Sequence, residues 1–556
     1  MKSIYLLIFA FCSTMAFSQS HFQKKAQPTP IVNRGILTPI VASIAYQGYE
    51  ETQAYFGEGE YEIFIDNLNG VLDKPIIVLD GFDPGDGRDI TGLYNSLEFD
   101  GQNMADILRD EGFDIVVLNA PQYTTGGKDI DGGSDYIQRN ALVLVEMINF
   151  LNAQKVGDEE LVVLGPSMGG LIARYGLTYM EQNSLDAETR LYISFDSPHR
   201  GANIPISLQY LINYLGQELG DPDAQAIVDN VLNSPAAKEM LYDHLSAHLL
   251  AGSTYEQDPT LLLPMGAPGF RDTFQAELDA LGFPQQVRNI TMVNGSALGT
   301  TTGTVGMQVV DTTLDLGDLV VGLTADVNLH FTPAASQTNN VTSFETFLFG
   351  IPLNSFDADA ESFSTSDGVD ASPGGTSNIS GALGGGGSSN PIIVAFIAAL
   401  DQDDYSFTPL ISALAIENED DWFAVPDIGG THTSPFVNTY IPDENEPHVT
   451  VTQENAQFAL DEIRNIVLST LDIDFVKRYQ LLKNPVSNTI NLQMNSVIPF
   501  GTIEMVVHSI TGQQVFSKTI NSPADQISIE HALNSGIYIL KINDTQSTTA
   551  IRFVVE

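Results

Sequence analysis

Hydrophobic residues along this chain follow two rhythms, and the change between them falls near Asp474. "YEIFIDNL", from Tyr61, alternates residue by residue and predicts a strand. "KPIIVLDGF", "DIVVLNA", "ELVVLG" and "RLYISFDSP" are nearly continuous apolar runs, the pattern of strands buried on both faces of a parallel sheet. Between them, "NMADILRDEGF", "SDYIQRNALVLVEMINFLNAQ" and "GGLIARYGLTYMEQN" carry apolar residues at helical spacing. Such alternation over about 140 residues predicts an α/β fold, with a mostly parallel sheet covered on both faces.

Other segments break the pattern. Residues 19–45, with Gln, Pro and Thr, read as a segment crossing the surface. Residues 205–285 place Leu, Ile and Ala at helical spacing and predict a helical lid or cap inserted into the alternation. "VRNITMVNGSAL" (287–298) resumes it as a strand. A stretch of low regularity follows, including "PGGTSNISGALGGGGSSN" (373–390), which reads as a flexible Gly/Ser-rich loop. "FTPLISALAI" (407–416) predicts the last buried strand. "VTVTQENAQFALDEIRNIVLSTL" predicts a closing helix with Ala456, Ala459, Leu460, Ile463 and Val467 on one face.

The second rhythm is that of short alternating strands separated by Asn, Gly and Ser turns: "NPVSNTINLQM", "GTIEMVVHSITGQQVFSKTI", "DQISIEHALNSGIYILKIN" and "TTAIRFVVE". They predict a small antiparallel β-sandwich over residues 475–556. Three marks stand in it: Asn484-Pro485-Val486 at its start, Thr511-Gly512 after the middle strand, and Ser535-Gly536-Ile537-Tyr538 before the penultimate strand. With these marks the segment resembles the C-terminal sorting domain of Bacteroidetes proteins exported by the type IX secretion system. The resemblance implies an export signal read by that machinery, cleaved at the cell surface and replaced by an anchor or released. The alternative is an accessory binding sandwich.

The 556 residues are too many for one ordinary domain. Residues 1–18 join one Lys to a short apolar run and small residues at Ala16 and Ser18, the pattern of a secretory signal peptide. The single cysteine, Cys12, lies within it, so the mature chain has no disulfide. Residues 19–474 then form the larger domain. After the leader no segment offers a long uninterrupted apolar run, so no transmembrane segment is expected. The formal charge, 23 basic against 70 acidic residues, repels nucleic acid and anionic membranes. It reads as solvated acidic faces on an exported protein, with divalent-cation binding as the alternative. "DPGDGRD" (83–89) has alternating carboxylates but lacks the full calcium-loop pattern.

"GPSMG" holds Ser167 between Gly165 and Gly169, where a buried strand ends and a helix begins. That is the context of a nucleophile elbow, which exposes a serine hydroxyl at a strand end. A serine nucleophile needs a base, and nine histidines are available. His448 follows the last expected core strand and precedes the closing helix, which suits the chain order serine, acid, histidine. His432 is the second choice. The acid that fixes the base is less defined. Asp196 ends the strand after the elbow; Asp370, Asp367 and Asp326 come from later loops. Oxyanion donors are expected at the backbone amides of Met168, after the nucleophile, and Phe82, in "VLDGFDPG".

From about residue 60 to 470 the chain resembles α/β-hydrolases of the lipase and esterase type. Gly165-Pro166-Ser167-Met168-Gly169 looks like their elbow, and Asp80-Gly81-Phe82 stands where many have His-Gly-X. Ser197-Pro198-His199-Arg200-Gly201 resembles their T-P-H-x-G segment, whose histidine is structural. Asp196 occupies the place of the usual Thr, so it is either a turn residue or an acid moved to the earlier strand. The resemblance implies hydrolysis of a carboxylic ester without identifying the ester. The apolar helical insertion over 205–285, read as a lid, suggests a hydrophobic substrate such as a lipid or polyester; read as a cap, it leaves a small ester. The triad chemistry requires no metal or organic cofactor. A peptidase or amidase on the same scaffold and a non-catalytic surface-binding protein remain as alternatives.

Overall fold

Eight strands build the main sheet: β1 (Thr38–Tyr46), β2 (Tyr55–Phe64), β3 (Pro75–Leu79), β4 (Asp114–Asn119), β5 (Leu161–Pro166), β6 (Thr189–Phe195), β7 (Arg288–Met292) and β8 (Asn438–Tyr440). Their order is β1-β2-β4-β3-β5-β6-β7-β8. β1 and β2 run antiparallel to their neighbours, and every other pairing is parallel. This is an α/β-hydrolase sheet. The structure, a computed structural model, describes residues 37–317, 320–382, 391–464, 479–483, 485–494, 502–509, 514–521, 526–543 and 548–555. The expected leader with Cys12, together with Val467, Asn484, Thr511, Gly512 and the 474/475 boundary, lies outside them.

β3, β4 and the first five residues of β5 are buried throughout, which is why they read as continuous apolar runs. Helices α1 (Ile137–Gln154) and α2 (Met168–Gln182) cross from strand to strand and pack on each other and on the sheet. Among the described residues, those up to Leu460 form one compact unit and those from Asp461 a second.

Four segments differ from the pattern-based expectations. Residues 38–46, expected to be surface chain, form the edge strand β1, with Ile40 and Ala42 facing inward. The low-regularity stretch contains a four-stranded antiparallel meander of Gln308–Asp315, Leu323–His330, Thr338–Leu348 and Ile351–Glu361. Its inward positions include Ala325, Val327, Leu329, Ala358 and Ala360, with Thr, Asn and Asp facing out, so its period is there but its mean hydropathy is low. The supposed last core strand is not in the main sheet. Residues Asp404–Pro409 pair antiparallel with Gly374–Asn378, and Leu410–Ala413 turn into a short helix. The true last strand, β8, is only three half-exposed residues.

The 205–285 segment is mainly helical. Asp221-Pro222 and Ser234-Pro235 start helices Pro222–Ile227 and Pro235–Met240, each capped by the Asp or Ser side chain with Pro in the first turn. Helix α3 (Ile206–Gln217) is buried from Ile206 to Gly216. It packs on the meander, with Tyr214 stacked on Phe356 at 4.7 Å and the Thr342 hydroxyl donating to the Ser207 carbonyl at 3.0 Å. Its buried polar residues are satisfied, Gln209 donating to the Ile204 and Asp243 carbonyls and Asn213 to the Thr254 carbonyl, so the helix belongs to an interior. Helix α4 (Arg271–Leu281) follows, and Ala456, Ala459, Leu460 and Ile463 of helix α5 (Gln453–Ile463) are each buried.

The second unit has two antiparallel sheets: Tyr479–Leu481, Thr489–Met494 and Gln526–Glu530 in one, Gln514–Asn521, Thr502–Ser509, Gly536–Asn543 and Thr548–Val555 in the other. Alternate residues, among them Ile490, Leu492, Ile503, Met505, Val507, Ile527 and Ile529, form its core.

Candidate active site

Ser167 sits at the turn from β5 into α2 with φ +52° and ψ −127°, a backbone state that non-glycine residues rarely hold. Such strain costs roughly 1–3 kcal/mol and persists where the surroundings impose it. The surroundings here are close-packed. A Cβ on Gly165 would lie 2.4 Å from the Gly169 carbonyl oxygen, and one on Gly169 would lie 2.7 Å from that of Asp80. The Ser167 amide donates to the Phe195 carbonyl at 2.9 Å, tying the turn to the end of β6. Met168 opens α2, whose first-turn amides have no acceptor inside the helix and whose positive end faces the turn.

Asp196 follows β6 directly, in register with the elbow because Phe195 pairs with Pro166. It is fully buried, at φ +48°. Its Oδ1 accepts from the Asn294 amide at 3.1 Å, and its own amide donates to the Met292 carbonyl at 2.7 Å. Gly375 presses on the carboxylate so closely that a Cβ there would stand 1.9 Å from Oδ2.

His448 lies on the loop before α5, 281 residues after Ser167 in the chain. The ribbon of Gly374–Asn378 and Asp404–Pro409 seats it. Its amide donates to the Thr376 carbonyl at 2.9 Å, and the Phe407 ring meets its imidazole edge-on at 4.7 Å. Nδ1 lies 2.7 Å from Asp196 Oδ2, and Nε2 lies 2.9 Å from Ser167 Oγ. Thr408 Oγ1 is a longer neighbour of Nδ1, at 3.3 Å. Carboxylate, imidazole and hydroxyl are therefore hydrogen-bonded in series, with Asp196 and Ser167 on opposite nitrogens of one ring. A neutral imidazole with its proton on Nδ1 has an acceptor at Nε2 aimed at the hydroxyl.

The competing residues are occupied elsewhere. Asp370 is buried and accepts from Asn203 Nδ2 at 2.9 Å and from the Thr332 amide at 2.8 Å; burial pushes its carboxyl up. Asp367 accepts from the Ala335 amide at 2.8 Å, and Asp326 from the Thr313 hydroxyl on the meander at 2.6 Å. His432 bridges Glu419 Oε2 at 3.2 Å and the Asp427 amide at 2.9 Å. His199 contacts the Ser194 hydroxyl at 2.9 Å; burial lowers its pKa well below the usual imidazole value, so it is a neutral core group.

Phe82 follows β3 on the loop facing the elbow: a Cβ on Gly81 would lie 3.2 Å from Ser167 Cβ. The carboxylates of "DPGDGRD" are spent on local structure. Asp83 accepts from the Arg88 amide at 2.8 Å, Asp86 from Asn119 at 3.0 Å, and Asp89 caps a short helix through Gly92 at 2.8 Å. Among the described residues no group of three or more His, Cys, Asp or Glu is placed to hold a metal ion. Three neighbours escaped the sequence reading: Asn294, Gly375 and Thr408. Only the glycine pair in "SPGG" carried any signal, as a close-packed backbone.

Residues 483–556 match the family described as the secretion system C-terminal sorting domain. No curated protein sequence matched the chain. Among solved structures, the chain is similar to lipase BlEst2 of Bacillus licheniformis, at 12% identity over 42% of this chain and 72% of that one, with TM-score 0.24. It is similar to Est1E of Butyrivibrio proteoclasticus, at 9% identity over 42% and 74%, with TM-score 0.22. A third likeness is the peroxisomal α/β-hydrolase Lpx1 of Saccharomyces cerevisiae, at 13% identity over 47% and 75%, with TM-score 0.25. Likenesses this distant carry no weight for substrate. Among the described residues no helix is long and apolar enough to cross a membrane. The chain joins a unit of α/β-hydrolase fold to a C-terminal sorting domain that marks it for export by the type IX secretion system.

Proposed function

We propose that this protein is an exported serine hydrolase that cleaves carboxylic esters, with Ser167 as nucleophile, His448 as base and Asp196 as the acid that orients it. The observation that carries the reading is the hydrogen-bonded series itself, 2.7 Å from Asp196 to His448 and 2.9 Å from His448 to Ser167, at the end of a strained strand-to-helix turn.

Ser167 Oγ attacks the ester carbonyl carbon while its proton passes to His448 Nε2. The imidazolium that forms keeps its proton on Nδ1 and donates it in a hydrogen bond to the Asp196 Oδ2 carboxylate oxygen. The carbonyl oxygen, now an anion, is received by the amides of Met168 and Phe82. Collapse of this intermediate expels the alcohol, which takes the proton from Nε2 and leaves an acyl ester on Ser167. Water then gives a proton to His448 Nε2 as it attacks the acyl carbonyl; collapse of the second intermediate breaks the bond to Ser167 Oγ, which takes that proton back from Nε2, and the acid is freed. No step calls for a metal or organic cofactor.

The domain reading goes with this: a signal peptide over 1–18, a catalytic domain over 19–474 with residues 205–285 as a cap, and a sorting domain over 475–556. The burial of helix α3 on every face, its Gln209 and Asn213 amides bonded to backbone carbonyls, favours a fixed cap over a hinged lid.

A panel of p-nitrophenyl esters from acetate to palmitate tests the function. Ester turnover that Ser167→Ala lowers by roughly 10⁴-fold or more supports it, by the precedent of other serine triads. Turnover of fluorogenic peptides but of no ester would move the reading to a peptidase. Absence of any turnover by folded protein would move it to a binding protein.

A further inference from the structure

We propose that Arg88, together with Asp80, is a positioning residue that fixes the peptide carrying the Phe82 amide beside Ser167; this rests on the serine-hydrolase reading above. The Gly81–Phe82 peptide is gripped on both sides. On one side, the Gly81 amide donates to Asp80 Oδ1 at 2.7 Å. On the other, Arg88 Nη2 donates to the Phe82 carbonyl at 3.0 Å. The same Nη2 is 2.8 Å from Asp80 Oδ1, so one guanidinium nitrogen joins the two anchors. With the peptide units before and after it held, the peptide between them cannot rotate freely, and its N–H is the second expected oxyanion donor.

Arg88 is held in turn. Its backbone amide donates to Asp83 Oδ2 at 2.8 Å, and the Asp83 amide donates to the Gly133 carbonyl at 2.9 Å. The guanidinium is one-fifth exposed and Asp80 is buried. Burial, opposed by Arg88 and reinforced by Asp83 and Asp86, leaves the Asp80 carboxyl pushed up to about 7. Without Arg88 a buried carboxyl would lose its only cation in that set and take up a proton, loosening the anchor at Gly81. A lysine supplies a point charge but not a planar fork able to serve carboxylate and carbonyl at fixed angles.

The test is steady-state kinetics on p-nitrophenyl butyrate with the full chain carrying Arg88→Met or Arg88→Lys, beside Ser167→Ala. A misplaced oxyanion donor acts in the transition state, so Arg88→Met should lower kcat by ~10²-fold and leave KM within ~3-fold. Added guanidinium at tens of millimolar should restore part of the lost kcat, which a merely structural role would not give. A folded Arg88→Met protein with parental kcat, or with the loss confined to KM, overturns the proposal. If Arg88→Met does not fold, Arg88→Lys decides: a kcat about tenfold down supports the clamp, and an unchanged kcat overturns it. Parental turnover surviving Ser167→Ala would instead sink the hydrolase reading, so the two failures are told apart.

Discussion

Replacing Asp196 by Asn exchanges one buried oxygen for an NH2 group and changes nothing else in size. Both carboxylate oxygens are used: Oδ1 accepts from the Asn294 amide at 3.1 Å, and Oδ2 faces His448 Nδ1 at 2.7 Å. An asparagine can serve only one of them. If its oxygen faces His448, its NH2 meets the Asn294 N–H, and the unmade bond costs about 1–3 kcal/mol. If its NH2 faces His448, Nδ1 must accept, the proton moves to Nε2, and the ring can no longer take the Ser167 proton. The second arrangement keeps more hydrogen bonds, so the wrong tautomer dominates. The expected loss is 10²- to 10⁴-fold in kcat, roughly 3–5 kcal/mol of barrier, with KM little changed. The assay is ester hydrolysis across pH, with thermal unfolding as a check on folding. A folded Asp196→Asn protein with kcat within about tenfold of the parent would refute the role of Asp196.

Gly375→Ala puts a methyl group 1.9 Å from Asp196 Oδ2, so it should cut kcat/KM by at least ~10²-fold, read in the same ester assay. Asp370→Asn and His432→Ala should change the melting temperature but leave kcat within about threefold, because neither side chain touches the Ser167 series; a hundredfold loss in either would reopen the choice of acid or base. Glu239 is buried, and burial pushes its carboxyl up to about 8 from 4.5. The fold therefore favours its neutral form. Its contribution is complete below the unfolded value and is lost as pH rises toward 8. Glu239→Gln should gain stability relative to the parent by roughly 3 kcal/mol between pH 5 and 8, measured by denaturant unfolding at both. An unchanged difference across that range would contradict the burial argument.

The legible parts of the fold are those that bury a strand on both faces. "PIIVL", "DIVVLN" and "LVVLG" announce themselves because solvent reaches neither side. The meander was missed because half of each strand faces out and its inward positions include small Ala325, Ala358 and Ala360. β8 is too short for any period to show. The misplaced last strand at residues 407–416 has a local cause: Phe407–Pro409 are buried, but in a ribbon that holds His448 rather than in the main sheet, and Leu410–Ala413 turn into a helix. The turn at Ser167 could be read from the glycines it requires, and the placing of His448 beside it from its position before the last helix. The carboxylate beside His448 could not be singled out, because 70 acidic residues share one composition and only packing distinguishes them. What sets Asp196 apart is that β6 lies next to β5, so consecutive strand ends bring it and Ser167 to one imidazole.

The central claim is that the Ser167 hydroxyl is activated by His448, and a fluorophosphonate probe reads this directly, without knowledge of the substrate. The adduct mass and its position are measured on the parent, Ser167→Ala and His448→Ala proteins by peptide mapping. The account predicts one adduct on Ser167 in the parent, none in Ser167→Ala, and labelling slowed by at least ~10²-fold in His448→Ala. Folded parent protein that stays unlabelled, or that carries the adduct on another residue, would contradict it.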